Sequence, residues 1–262
     1  NPWQLAGQPP LVRTLFRHGS FGALRQIEQD VAAFEAFVQQ AAEQARAQWP
    51  ADLPHPTDWP GWVKAKLCGR WPDGRLLDEH GQAVPADPAA LPPQIDSGPD
   101  TSGSRCPFGA HVRRLNPRPT QDPERNLVHA RLRVLVRRGL PYGPANWAGT
   151  ADGQARGLLG HFFCSSLEEQ FEHLLGAWAE GRPLGLPDRG DVADPLIGHH
   201  DDPGAAFEVP LPGGRPSLWL RGLRRFVRTR GTLYAFYPAR DGLHALLNGR
   251  DLVGPDDEER RP

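Results

Sequence analysis

No methionine stands anywhere in these 262 residues, and Asn1 is not one of the small residues before which an initiator methionine is normally removed. A piece of a longer product, trimmed or released from a precursor, is expected. Asn1-Pro-Trp-Gln-Leu5 carries neither a charged n-region nor an apolar h-region, so no signal peptide is visible and any export signal is expected upstream. Cysteine is scarce too: Cys68, Cys106 and Cys164 are odd in number and lack CxxC spacing, which argues against a disulfide framework or a closed zinc site and predicts buried free thiols. No charge excess exists, with 30 Lys and Arg against 31 Asp and Glu. Counterion release from nucleic acid therefore has nothing to drive it. Nor does any apolar run approach the roughly 18 residues of a membrane span. A soluble protein is expected, cytoplasmic or, with a signal upstream, exported.

What the chain has in abundance is punctuation. Its 29 Gly and 29 Pro are about 22% of positions against roughly 12% in an average protein, so loops are long. The 8 Trp and 11 Phe supply the bulk of a packed interior. Leu24, Ile27, Val31, Phe34, Phe37, Val38 and Ala41 recur at helical spacing and predict a helix from Ala23 to Trp49, stopped by Pro50. A Pro, Gly and Trp-rich loop follows, over about residues 50 to 117; a loop this long is functional or disordered, and its Trp59, Trp62 and Trp71 argue for order.

His129 to Arg138 alternates as a half-buried strand that Gly139 and Pro141 end. Gly157 to Cys164 has the length and apolarity of a second strand. Ser166-Leu-Glu-Glu169 then forms a capping box opening a helix, with Gly181 as its C-cap. After a Pro and Gly-rich loop from Pro183 to Pro216, Leu223 to Arg228 and Thr232 to Tyr237 read as a hairpin about an Arg-Gly turn. The pattern predicts an α+β fold, an antiparallel sheet covered by helices on one side, and the length allows one or two domains.

The chemistry concentrates in Cys106-Pro-Phe-Gly-Ala-His-Val-Arg-Arg-Leu-Asn-Pro-Arg118. One histidine, His111, precedes Arg113, Arg114 and Arg118, a donor set suited to an anion. A neutral imidazole beside carboxylate-binding arginines is also what haem requires, although a lone histidine is more often a hydrogen-bonded structural residue. His199-His200-Asp201-Asp202 looks like a metal cluster, but neighbours on an extended loop point apart.

This block resembles the Cys-Pro-x-x-Ala-His-Ile-Arg-x-x-Asn-Pro-Arg signature of the dye-decolorising peroxidases. In family order follow likenesses at His18-Gly-Ser-Phe21, Leu24 to Phe34, Ala65-Lys-Leu-Cys-Gly-Arg-Trp-Pro-Asp-Gly74, Arg137-Arg-Gly-Leu-Pro-Tyr-Gly-Pro144, Gly157-Leu-Leu159, Gln170-Phe-Glu172, Asp194-Pro-Leu-Ile-Gly198 and Arg221-Gly-Leu-Arg-Arg-Phe-Val227. The resemblance spans roughly residues 18 to 240 and implies a ferredoxin-like sheet, half of the dimeric α+β peroxidase fold, in a single C-terminal domain over 1–262. It implies that His111 is the axial ligand of a haem b iron, that Arg118 pairs with a propionate and that Arg137 is the distal arginine. By family position Glu168 is the carboxylate expected on the ligand's other nitrogen, with Glu169 and Glu172 as competitors and helix-dipole capping as the alternative for Glu168 and Glu169.

Two departures stand out. The family's upstream half, with its Gly-x-x-Asp-Gly aspartate acting as distal acid-base group, has no counterpart in this sequence, so a second chain carrying it, or a homo-oligomer, is expected. His161 stands on a strand where the family lines its distal pocket with apolar side chains, and either moves protons there in place of the aspartate, itself binds iron, or is packed or hydrogen-bonded away from haem. The resemblance implies a peroxidase that uses hydrogen peroxide to oxidise dyes or phenolic reductants. The alternatives are a degenerate, non-catalytic haem-binding or structural module and a haem enzyme repurposed for a biosynthetic oxidation.

Overall fold

Where helical spacing predicts one helix from Ala23, the chain instead runs extended and turns helical only after Asp30. In the computed structural model, which describes residues 7–8, 10–78, 80–85, 100–116, 133–181 and 193–248, α1 (Pro10–Phe16) leads into β1 (Ser20–Gln29) and α2 (Val31–Gln48). The Asp30 carboxylate caps α2, accepting from the Ala33 N–H at 2.9 Å. Both edges of β1 are paired, one with β3 (Gly157–Cys164) and the other with β6 (Val227–Tyr237), and Ala23 at its centre has no exposure. Two neighbouring strands satisfy its backbone, and this pairing outweighs the helical spacing of Leu24 and Ile27.

The main sheet is antiparallel with order β2-β3-β1-β6, which is the expected α+β sheet. β2 spans Val136–Tyr142, so it runs through Gly139 and Pro141 instead of ending there. As an edge strand it tolerates a residue without an N–H; the part of the expected strand over 129–132 lies outside the described residues. No hairpin forms between Leu223 and Tyr237. Leu223 and Phe226 are buried in the core, and the expected Arg-Gly turn is a bulge inside β6: the register passes from Gln26 opposite Gly231 to Ile27 opposite Thr229, leaving Arg230 as the extra residue. A small separate hairpin pairs β4 (Ala206–Val209), inside the stretch expected to be loop, with β5 (Leu218–Arg221).

The described part of the long loop is organised around its tryptophans, as expected. Asp58 caps α3 (Trp59–Cys68), and Trp49, Trp59 and Trp62 meet edge to face at 5.2 to 5.8 Å. With Phe37, Val38, Phe207 and Leu220 they form the larger core, between α2, α3 and the β4–β5 hairpin. Gly69 ends α3 at φ +96, and a Cβ there would meet Cys106 Sγ at 3.1 Å and Val112 Cβ at 3.4 Å. Only glycine lets the end of α3 approach the segment around His111 so closely.

A second, smaller core sits on one face of the sheet. Ala23, Cys164 and Phe162 pack there against Phe171, Leu167 and Leu175 of two successive π-helical segments, Leu167–Glu172 and Leu174–Ala179. The Ser166 hydroxyl caps the first by accepting from Glu169 N–H at 3.2 Å, as expected. Glu180, in right-handed conformation, closes the second in place of Gly181. The opposite face carries Leu24, Leu159, His161, Phe163, Arg138 and three apolar side chains open to solvent, Val136 (69% exposed), Leu140 (66%) and Leu233 (62%). No described helix is long and apolar enough to cross a membrane. All three cysteines are free, Cys106 and Cys164 buried and Cys68 half-buried.

Candidate haem site

The loop before His111 is clamped from below. Asp100, buried, accepts from the N–H groups of Cys106 (2.8 Å) and Arg105 (3.2 Å) and from the Arg113 guanidinium (2.9 Å). Arg113, 1% exposed, lies over the Phe108 ring, and Lys66 donates to the carbonyls of Ser104 (2.6 Å) and Arg105 (2.8 Å). Burial pushes the Lys66 amine down to about 8. Arg114 likewise donates to main-chain oxygens, those of Ala179 and Gly181. These two arginines hold the loop to its supports, whereas the sequence suggested an anion beneath them. Arg118 lies outside the described residues.

On this base stands α4 (His111–Leu115), with His111 as its first residue. Its Nδ1 is 2.9 Å from Asp194 Oδ2, and Asp194 has no exposure. The other carboxylate oxygen accepts from the N–H groups of Leu196 (2.9 Å) and Ile197 (3.0 Å). Burial raises the Asp194 carboxyl, but the His111 ring, by charge and hydrogen bond, and these two N–H groups outweigh it and hold the group below the usual carboxylate range. An ionised carboxylate only accepts, so Nδ1 carries the proton of this bond and Nε2 is the nitrogen left to offer a lone pair from the neutral ring. Among the described residues, Nε2 has no hydrogen-bond partner.

Glu168 therefore does not orient His111. It is exposed in the first turn of the π-helical stretch, while its competitors Glu169 and Glu172 engage Arg133 and the Tyr234 hydroxyl. Asp194 was visible in the sequence only as part of Asp194-Pro-Leu-Ile-Gly198. Its burial and its 83-residue separation from His111 are tertiary facts that no local pattern reports.

Arg137 pairs in register with Phe162, on the sheet face that carries the π-helical segments. Arg25 shares this face and holds Thr229 Oγ1 at 2.7 Å. Burial raises the Cys68 thiol, a contribution from Asp194 adds to this, and Arg70 and Arg137 oppose it. Arg137 and the carboxylate behind His111 thus act on one thiol. Glu180 similarly acts on both Arg25 of the sheet and Arg114 of α4. Arg114 of α4 reaches Ala179 and Gly181 at the end of the π-helical stretch, so the His111 segment lies on the side of the sheet that Arg137 faces.

His161 is turned away from this side. Sharing a face with Leu159 and Phe163, as expected, it pairs with Arg138, not Arg137, and meets the Tyr237 hydroxyl at 2.8 Å on the solvent-open side. Alternation along β3 puts Phe162 and His161 on opposite faces, so the sheet separates His161 from the side on which Arg137 lies. His199 and His200 do point apart, to the Glu180 carboxylate and the Asp194 carbonyl respectively.

The geometry of the site is thus an imidazole backed by a buried carboxylate, with an arginine-bearing sheet face on the same side. No family model matches the chain. Over most of its length, however, it is homologous to dye-decolorising peroxidases. The dye-decolorising peroxidase of Exidia glandulosa is 31% identical over 248 residues, covering 87% of this chain and 45% of that protein. That of Auricularia auricula-judae is 29% identical over 245 residues, 84% of this chain and 45% of its own. Among solved structures, DyP2 from Amycolatopsis sp. superposes with a TM-score of 0.69 at 27% identity, over 87% of this chain and 49% of that one. This chain spans about half the length of the curated relatives it matches. The residues present fit haem: one imidazole nitrogen is available as a ligand and its other nitrogen is already fixed by an anion.

Proposed function

We propose that this chain is the haem-binding half of a dye-decolorising-type peroxidase, which takes hydrogen peroxide and an organic reductant, a dye or phenol, and works with a second polypeptide that supplies the distal half. The observation that carries this reading is the His111–Asp194 pair, with its buried carboxylate and its available Nε2. His111 would hold the iron of haem b through Nε2, and the haem supplies the redox chemistry between peroxide and reductant. Asp194, by accepting the Nδ1 proton, makes Nε2 a more basic donor and fixes the plane of the ring. Arg137 offers a fixed positive charge to the anion that develops as the peroxide O–O bond breaks, an effect worth ~3 kcal/mol for comparable donors.

Proton transfer on the Arg137 side falls to a segment of the partner that reaches round the β2 edge of the sheet, because the sheet turns His161 the other way. The partner's place is the uncovered sheet face of Val136, Leu140 and Leu233, since soluble proteins rarely expose contiguous apolar surface of this kind. The test is haem loading followed by a peroxide and anthraquinone-dye assay, with and without the protein encoded next to this chain. A Soret band lost in His111→Ala is expected, with turnover rising when the partner is added. If no Soret band forms in haem-supplied chain, alone or with partner, the reading fails.

A further inference from the structure

His200 is buried, 7% exposed, and its ring hydrogen bond runs to the main chain of Asp194 and not to the expected ligand. Its Nε2 is 2.8 Å from the Asp194 carbonyl oxygen, which can only accept, so the ring donates there. Burial lowers the His200 imidazole, against weaker opposing effects from Asp194 and Glu180, which favours the neutral ring with a single N–H. That N–H is not needed to satisfy the carbonyl, because the same oxygen already accepts from Gly198 N–H at 2.9 Å. What the second bond adds is direction.

Asp194 is then held at every polar group. Its N–H donates to Ala179 O at 2.6 Å, its carbonyl takes Gly198 and His200, Oδ1 takes Leu196 and Ile197, and Oδ2 takes His111. The neighbouring His199 is tied by backbone and ring to Glu180, next to the Ala179 that receives Asp194 N–H. The loop 194–200 is thereby closed on the end of the π-helical stretch at two adjacent residues.

We infer that His200 is a positioning residue: through the Asp194 carbonyl it fixes the carboxylate against His111 Nδ1 and so tunes the basicity of the nitrogen offered to haem. This rests on His111 being the ligand, as proposed above, but its first test needs no haem.

In 15N-histidine-labelled chain, the His111 Nδ1 proton is followed by NMR and hydrogen exchange. His200→Ala should move that resonance upfield and speed its exchange about tenfold, the scale of one net hydrogen bond. His200→Gln, which keeps an N–H at a similar reach, should return both to within about twofold of wild type. His200→Phe fills the space without a donor and should behave as Ala does, which covers the case in which a cavity unfolds the loop. In haem-loaded chain the iron reduction potential should rise in His200→Ala and recover in His200→Gln. A purely structural role predicts lower melting temperatures with no shift in the Nδ1 resonance of the folded variants, and that result overturns the inference. Failure of wild-type chain to bind haem would instead count against the proposed function, and the NMR comparison would still read His200.

Discussion

Asp194, without exposure to solvent, accepts the Nδ1 proton of His111 at 2.9 Å and the N–H groups of Leu196 and Ile197 on its other oxygen. Removing it strands three donors. Asp194→Ala should destabilise the chain by about 2 to 4 kcal/mol in urea unfolding, the cost of several unpaired buried groups. The carboxyl is held below its unfolded value, so the folded state binds its proton less tightly. Its contribution is fully present above the ordinary carboxylate range and is lost as pH falls below about 4. Unfolding measured from pH 6 to pH 3 should show this loss in wild type and a shallower slope in Asp194→Asn.

Arg137 presents the contrasting case of an exposed side chain whose proposed contribution is to chemistry and not to stability. Arg137→Leu should leave the unfolding free energy within about 0.5 kcal/mol of wild type, as expected for a surface replacement. In the assembled, haem-loaded enzyme kcat/KM for peroxide should fall about 100-fold or more with the Soret band intact. Arg137→Lys, which keeps charge but not the guanidinium fork, should recover part of the loss. Unchanged peroxide kinetics in Arg137→Leu would remove this residue from the mechanism.

How far the site was legible in sequence follows from which interactions are local. β3 shows at its observed bounds because an apolar run of strand length lies between a glycine and a cap, and the Ser166 cap shows because its partner is three residues away. β1 was missed because its side chains also fit a helix and only β3 and β6, far along the chain, decide the matter. The bulge at Arg230 looked like a turn for the same reason: Arg-Gly reads alike in both until the partner strand is known. His111 stood out by its flanking arginines, yet Arg113 and Arg114 are spent on Asp100 and on main-chain oxygens. The opposite facing of His161 and Arg137 needs the β2–β3 register, which no single strand contains.

Lys66 gives a test in the alkaline range. It is buried, donates to Ser104 O and Arg105 O, and is pushed down by burial to about 8, against about 10.4 in an unfolded chain. Between these values the unfolded state binds the proton and the folded state releases it, so this residue makes stability rise with pH across that window, by at most about 1.4 kcal/mol per pH unit. Wild type minus Lys66→Met should therefore show an unfolding free-energy difference that grows from pH 8 to pH 10. A flat difference would mean that the amine stays protonated in the fold.

The uncovered sheet face gives the sharpest test of assembly. Strand addition at its edges is disfavoured, since β2 carries Pro141 and β6 carries the Arg230 bulge with Arg228 alongside. A partner is therefore expected to cover the face, and burying Val136, Leu140 and Leu233 would contribute roughly 1.5 kcal/mol or more per side chain. Leu140→Asp or Leu233→Asp replaces that gain with a desolvated charge. Each should weaken association with the partner chain about 100-fold in sedimentation or titration calorimetry. The isolated chain should keep its melting temperature, because both side chains are exposed in it. If both variants associate with wild-type affinity, the partner sits elsewhere; if the isolated chain self-associates and the variants abolish this, a second copy occupies the face.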